Sequence, residues 1–240
     1  WILKLMVEVK VLPGTVVKRK AEEQIQHIEA TTGRKPGKKE SREIREDARL
    51  ALLPLAFTKQ STVLVWIDPQ AKTLVLSAGS QARADEVMTC LIKAMDGLSV
   101  QLINTQMSPA AAMSVWLSTK EAPQSFSVDR ECELKAADES KAVVRYTRHP
   151  LDTDEVSQHI ANGKVPTRLA MTWNDHVSFV LTEALQLKKV AVLDVVFEGA
   201  GAAGDGKEDG FDTDVAIATG ELRKLIPDLL DALGGEVVPA

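Results

Sequence analysis

The chain opens on a strict alternation. Leu3, Leu5, Val7, Val9 and Val11 are separated by Lys4, Met6, Glu8 and Lys10, the period of two that marks a half-buried strand. Pro13-Gly14 ends it. The period then changes to that of a helix, with Thr15 as the N-cap and Val17, Ala21, Ile25 and Ile28 on one face. Gly33-Arg34-Lys35-Pro36-Gly37 breaks this helix. A second helix is expected from about Ser41, with Ile44, Ala48, Ala51, Leu52 and Leu55 as its apolar stripe until Pro54 disturbs the end. Two helices joined by a short basic turn make an αα-hairpin.

Strands are expected at 62–67 and 73–77 around the turn Asp68-Pro69. A helix follows from Ser80, with Ala84, Val87, Met88, Leu91, Ile92 and Met95 inward and Gly97 as its stop. A short strand is expected around Leu102, then a helix from Ser108-Pro109 to Leu117. Strands at 126–134 and 142–147 lead to an acidic helix start at Asp152-Thr153-Asp154-Glu155. Three β segments come next, at 165–173, 176–182 and 187–197, the first two joined by the hairpin turn Asn174-Asp175. After a Gly/Ala/acid loop at 199–210, an apolar segment at 215–218 and a helix from Glu221 to Leu233 close the chain. Helices mixed with mostly antiparallel strands, without βαβ regularity, define an α+β fold with a protruding helical hairpin.

Net charge is −5, which at first sight disfavours a polyanionic partner, but the charge is segregated. Residues 1–100 carry 16 Lys and Arg against 12 Asp and Glu, and residues 101–240 carry 13 against 22. The basic excess concentrates at the hairpin turn: Arg34, Lys35, Lys38 and Lys39 stand at 33–39 with no acid among them. Lys18, Arg19 and Lys20 flank them on one side, and Arg42, Arg45 and Arg49 on the other. A smaller group, Arg145, Arg148 and His149, ends a strand. Clustered Lys and Arg are the footprint of phosphate-backbone binding. With a single tyrosine and aromatics at 4%, base-stacking platforms are scarce, so contact is expected mainly with phosphates and with little regard to sequence. The alternative reading of the same residues is a solvated hairpin tip, its cations interleaved with Glu40, Glu43 and Glu46.

Other chemistry finds little support. Gly199, Gly201 and Gly204 fit GxGxxG literally, but the acidic, glycine-rich residues after them do not open a phosphate-holding helix. A calcium reading of Asp205, Asp209, Asp212 and Asp214 fails where Lys207 and Ala216 occupy ligand positions. His27, His149, His159 and His176 lack metal-ligand spacing, and no GxSxG, HExxH or P-loop is present. The expectation is therefore a protein without enzymatic activity, metal or cofactor. Cys90 and Cys132, isolated from each other, point to free thiols in a reducing compartment. No apolar run reaches the roughly 18 residues of a membrane span.

Three stretches carry a family resemblance. Leu52-Leu53-Pro54-Leu55-Ala56-Phe57 followed by Val65-Trp66-Ile67-Asp68 resembles the RdgC pattern of a helix end, a turn and a strand. His159-Ile160-Ala161-Asn162-Gly163-Lys164-Val165, leading to Leu169-Ala170 and Trp173, is similar to a second RdgC segment. Phe211 to Asp214, Thr219 to Leu222 and Ala232 to Glu236 resemble its C-terminal signature. The resemblance implies a homodimer closed into a ring around a positively charged hole, binding single- and double-stranded DNA and limiting the access of RecA. It implies a cytoplasmic, nucleoid-associated protein whose opening segment, several dozen residues before Trp1, is absent here. It also implies three parts: a central domain of 1–12 with 58–150, a hairpin tip at 13–57, and a β-rich base at 151–240. Arg34, Arg148 and His149 match its basic lining and Phe57 its interface aromatic; Gly33, Pro36 and Gly37 depart from a more continuously helical tip. Two other classes stay open: an interaction module whose basic hairpin docks an acidic partner, and a metal-dependent nuclease.

Overall fold

The computed structural model describes residues 1–199 and 207–237. They form two compact units, Trp1–Ser99 and Val100–Ala240. Among the described residues the secondary structure is seven α-helices and two antiparallel sheets, an α+β fold.

In the first unit the long strands β1 (Ile2–Val11) and β2 (Phe57–Asp68) pair antiparallel over all of β1, from Ile2 opposite Trp66 to Val11 opposite Phe57. β3 (Thr73–Leu76) adds to the far side of β2. The turn before β3 is capped by Asp68, whose carboxylate accepts from the N–H groups of Gln70 and Ala71. Helix α3 (Gln81–Ala94) covers one sheet face, where Val87 and Leu91 pack on Val63 and Val65. Ser80 caps α3 with its hydroxyl, as the sequence suggests.

The helical hairpin is the connection between the paired ends of β1 and β2. Helices α1 (Gly14–Thr32) and α2 (Lys38–Leu52) bury Val17 and Ala21 against Ile44 and Ala48, a small core separate from that of the sheet. Gly33 ends α1 in the left-handed region at φ 68°, its N–H returning to Glu29 O at 2.9 Å. Two boundaries differ from expectation. Helix α1 starts at Gly14 with no side-chain cap, and α2 starts at Lys38 rather than Ser41. Beyond Leu52 a single 3-10 turn, Leu53–Leu55, rotates the chain around Pro54. Leu55 is consequently 79% exposed and Ala51 is exposed as well, so neither joins the stripe.

The second unit is a five-stranded sheet in the order β5-β4-β6-β7-β8: β4 (Phe126–Ala136), β5 (Val143–Thr147), β6 (Lys164–Trp173), β7 (Val177–Thr182) and β8 (Leu187–Val192). Because β4 pairs with both β5 and β6, the strands before and after residue 150 share one sheet, across the division that the resemblance implies there. Strand pairing is non-local, and composition along the chain does not report it. One sheet face carries Leu134, Leu169, Met171 and Leu181, fully buried with Ala112 and Met113 of α4 (Pro109–Thr119), Val156 of α5 (Asp154–Ala161) and Leu225 of α7 (Lys207–Ala232). Asn174 and Asp175 both take positive φ (46° and 56°), the geometry of the expected tight hairpin turn.

Three expectations are corrected. No strand forms around Leu102, which is 82% exposed; a lone bridge joins Thr105 to Glu236 instead. The third β segment stops at Val192, and residues Asp194–Gly199 form a short helix, α6. The apolar segment at 215–218 and the last helix are one helix, α7, since Leu222, Leu225 and Leu229 continue a 3.6 period that four residues could not reveal. Asp209, Asp212 and Asp214 lie within α7, not on a calcium loop; Gly201, Gly204 and Asp205 lie outside the described residues.

Candidate nucleic-acid interface

Helix α2 turns the basic hairpin residues into a line. At 100° per residue, Lys38, Arg42, Arg45 and Arg49 fall within about 60° of one another, a turn apart and spanning roughly 16 Å. The buried Ile44 and Ala48 stand about a quarter turn away, and Glu40, Glu43 and Asp47 occupy the far side. The helix is thus two-sided in charge. On α1, Lys18 borders the same groove as Arg45 and Arg49.

Within this line Lys38, Arg42 and Arg45 are exposed and have no carboxylate in ion-pairing range among the described residues, whereas Arg49 meets Glu46 at 3.6 Å. Lys35 and Lys39 are exposed at the tip, also without partners among the described residues. Arg34 is different. Its two terminal nitrogens donate to the two carboxylate oxygens of Glu40 at 2.8 and 3.0 Å, the two-pronged geometry a guanidinium also offers to phosphate. That hydrogen bond holds the Glu40 carboxyl below the ordinary carboxylate range and raises the Arg34 guanidinium. Lys18 and Lys20 are likewise engaged, with Glu22 at 3.7 Å and Glu23 at 3.3 Å.

The second basic group lies on the other unit. Arg145 Nε donates to Glu133 at 2.6 Å from β5, an edge strand. Arg148, just past the strand, is exposed and held at φ 55°. His149 bonds Pro150 O through Nδ1 at 2.6 Å, and its ring lies 5.4 Å from that of Tyr146. Burial, then donation to Glu155, pushes the Tyr146 hydroxyl up to about 12. Sequence reasoning passed over Arg168, which stands opposite Glu133 on β6, and Lys188 and Lys189 on β8. Only the register brings them onto one face with Arg145.

Phe57, the first residue of β2, is 88% exposed. With Val9 and Val11 on β1 and Leu55 in the turn, it forms an apolar patch at the root of the hairpin. Among the described residues no three His, Cys, Asp or Glu side chains gather to hold a metal ion, and no helix is long and apolar enough to cross a membrane. Cys90 is exposed; Cys132 is buried, its thiol pushed up to about 12 by that burial and by the Glu133 charge.

Fold and surface together define an α+β protein with exposed cations arrayed along one flank of α2. The family model described as "Putative exonuclease, RdgC" matches residues 1–236. The recombination-associated protein RdgC of Dechloromonas aromatica is 44% identical over 243 residues, covering 100% of this chain and 80% of the relative. Those of Bordetella pertussis and Cupriavidus necator are each 47% identical over 235 residues, covering 98% of this chain and 79% of the relative. The chain belongs to the RdgC family.

Proposed function

We propose that this chain is a subunit of a DNA-binding protein that acts in recombination, gripping the phosphate backbone of single- and double-stranded DNA without reading its sequence and without cutting it. The observation that carries this reading is the line of Lys38, Arg42, Arg45 and Arg49 on one flank of α2. Cations one helical turn apart, mostly unneutralised by their own chain, are matched by the evenly spaced charges of a nucleic-acid backbone. The relatives' name supplies recombination as the setting. In the same reading two subunits join through the Phe57 patch and through a second contact made by the second unit, to close a ring on DNA. A nucleoid-bound ring of this kind limits the access of RecA.

The test is an electrophoretic mobility titration against salt, with magnesium present, on single strands and duplexes of unrelated sequence. Retarded, uncleaved DNA whose affinity falls steeply with salt supports the reading. Cleavage products in magnesium support instead the nuclease that the family model's description names. Binding to an acidic protein but to no DNA supports an interaction module.

A further inference from the structure

We propose that the face of the β5-β4-β6-β7-β8 sheet opposite the one packed by α4, α5 and α7 is a second phosphate-contacting surface, with Arg168 and Lys188 as its contact residues and Lys189 as the brace that shapes it. This rests on the DNA-binding reading above and adds a surface to it.

The helices of the second unit bury one face of the sheet, the face of Leu169 and Leu181. Residues one step out of phase point to the other. There the register lays out a row, Arg145 opposite Glu133 and Glu133 opposite Arg168, then Arg168 opposite Thr182 on β7. In the next row Ala170 stands opposite Val180, and Val180 opposite Lys188. Lys135, two residues from Glu133 on β4, shares this face.

Lys189 reaches the same face by a detour. Between the pairs Ser178–Ala191 and Val180–Lys188, two residues of β8, Lys189 and Val190, oppose Phe179 alone. This is a bulge, and Lys189 sits in it at φ 52°, a left-handed conformation that costs a lysine energy. Its ammonium donates to both oxygens of Glu131 at 2.7 and 2.8 Å, bracing β8 to β4 across the two strands between them. Ala170 and Val180 lie under that span and are 8% and 4% exposed, although they face away from the helices. Bulges re-aim side chains, and this one turns a lysine back over the sheet.

The three carboxylates on β4 are all engaged within the sheet. Asp129 accepts from Thr172, Glu131 holds Lys189, and Glu133 accepts from Thr167 and Arg145. Against these three stand five cations: Lys135, Arg145, Arg168, Lys188 and Lys189. Arg168 is near enough to Glu133 to help lower its pKa but makes no ion pair with it, and Lys188 has no ion-pair partner among the described residues. Both are exposed. The acidity of this half of the chain belongs elsewhere: residues 194–240 carry 3 Lys and Arg against 11 Asp and Glu, residues 101–193 carry 10 against 11. A polyanion therefore meets a locally positive surface on an otherwise acidic unit.

The experiment compares the protein with R168E/K188E, and with the α2 variant K38E/R42E/R45E, by fluorescence anisotropy on a labelled duplex across salt. Circular dichroism checks each fold. The expected result is a loss of at least about tenfold in affinity for R168E/K188E, and a log–log salt slope shallower by about 2, as for two lost phosphate contacts. Should the reversed pair misfold, R168Q/K188Q decides, with the same change in slope expected. A folded sheet variant that binds like the parent while the α2 variant is weakened overturns this proposal alone. If the parent protein binds no DNA, both the proposal and the reading beneath it fall.

Discussion

Glu40 occupies one of the two arginines, Arg34 and Arg148, that both the basic clusters and the family resemblance offer as DNA contacts. Its carboxylate fills the guanidinium of Arg34 as a phosphate would, so in free protein that arginine is not available. Spacing alone leaves Arg34 among the open cations, because a partner six residues away across a turn gives no periodic signal. E40Q is expected to raise DNA affinity several-fold at neutral pH and to steepen the salt slope by about 0.9, the increment for one added phosphate contact. Because the Glu40 carboxyl lies below the ordinary range, the parent keeps its pair through mild acid and converges on E40Q only as pH falls through that lowered value. Equal or weaker binding by E40Q would mean that the pair organises the tip rather than competing with DNA. At the same scale, Cys90 and Cys132 should part company under alkylation. Native protein treated with iodoacetamide at neutral pH should carry the label on Cys90 alone by peptide mass spectrometry, because Cys132 is buried with its thiol pushed up to about 12. Labelling of Cys132 at a matching rate would show that β4 opens readily.

At the scale of elements, the hairpin was legible because its apolar periods and its Gly33 stop are local signals. Helix α2 began three residues earlier than its expected start, and that shift places Lys38 in the cationic line. The face of the second sheet was not legible. Arg145, Arg168 and Lys188 come from three strands, and neither register nor bulge is written into any one of them. Glu133 joins two of these strands. Bonds from Thr167 and Arg145 hold its carboxyl below the ordinary range, so its folded pKa lies under its unfolded one. It therefore contributes stability above the unfolded carboxylate pKa, about 4.3, and that contribution is lost as pH falls through the folded value. E133Q is expected to reduce stability to urea at pH 7 and to remove part of the parent's decline in acid, so that the two converge at low pH. Parallel stability–pH curves for parent and variant would place the acid sensitivity in other groups.

For the whole molecule, the resemblance implies a dimer with Phe57 as its interface aromatic, and the structure leaves that side chain exposed. Phe57 follows a helix whose apolar stripe fits its own core, yet Pro54 and the 3-10 turn carry it out to 88% exposure beside Val11. An aromatic anchor seated in a partner's pocket is typically worth about 2 kcal/mol or more on truncation. F57A is therefore expected to weaken the dimer at least about tenfold in analytical ultracentrifugation and to leave the melting temperature nearly unchanged. An unaltered dimer constant would move the interface elsewhere. The central proposal, that the protein holds DNA by its phosphates, rests at this scale on the cations of both units. The most direct measurement is the equilibrium affinity for several unrelated duplexes between low and physiological salt, with magnesium present, for the parent and for K38E/R42E/R45E. The account predicts similar affinities for every sequence, a steep linear fall of log affinity with log salt, intact DNA, and a shallower slope for the variant. A flat salt response, a strong preference for one sequence, or a variant whose slope matches the parent's would contradict it.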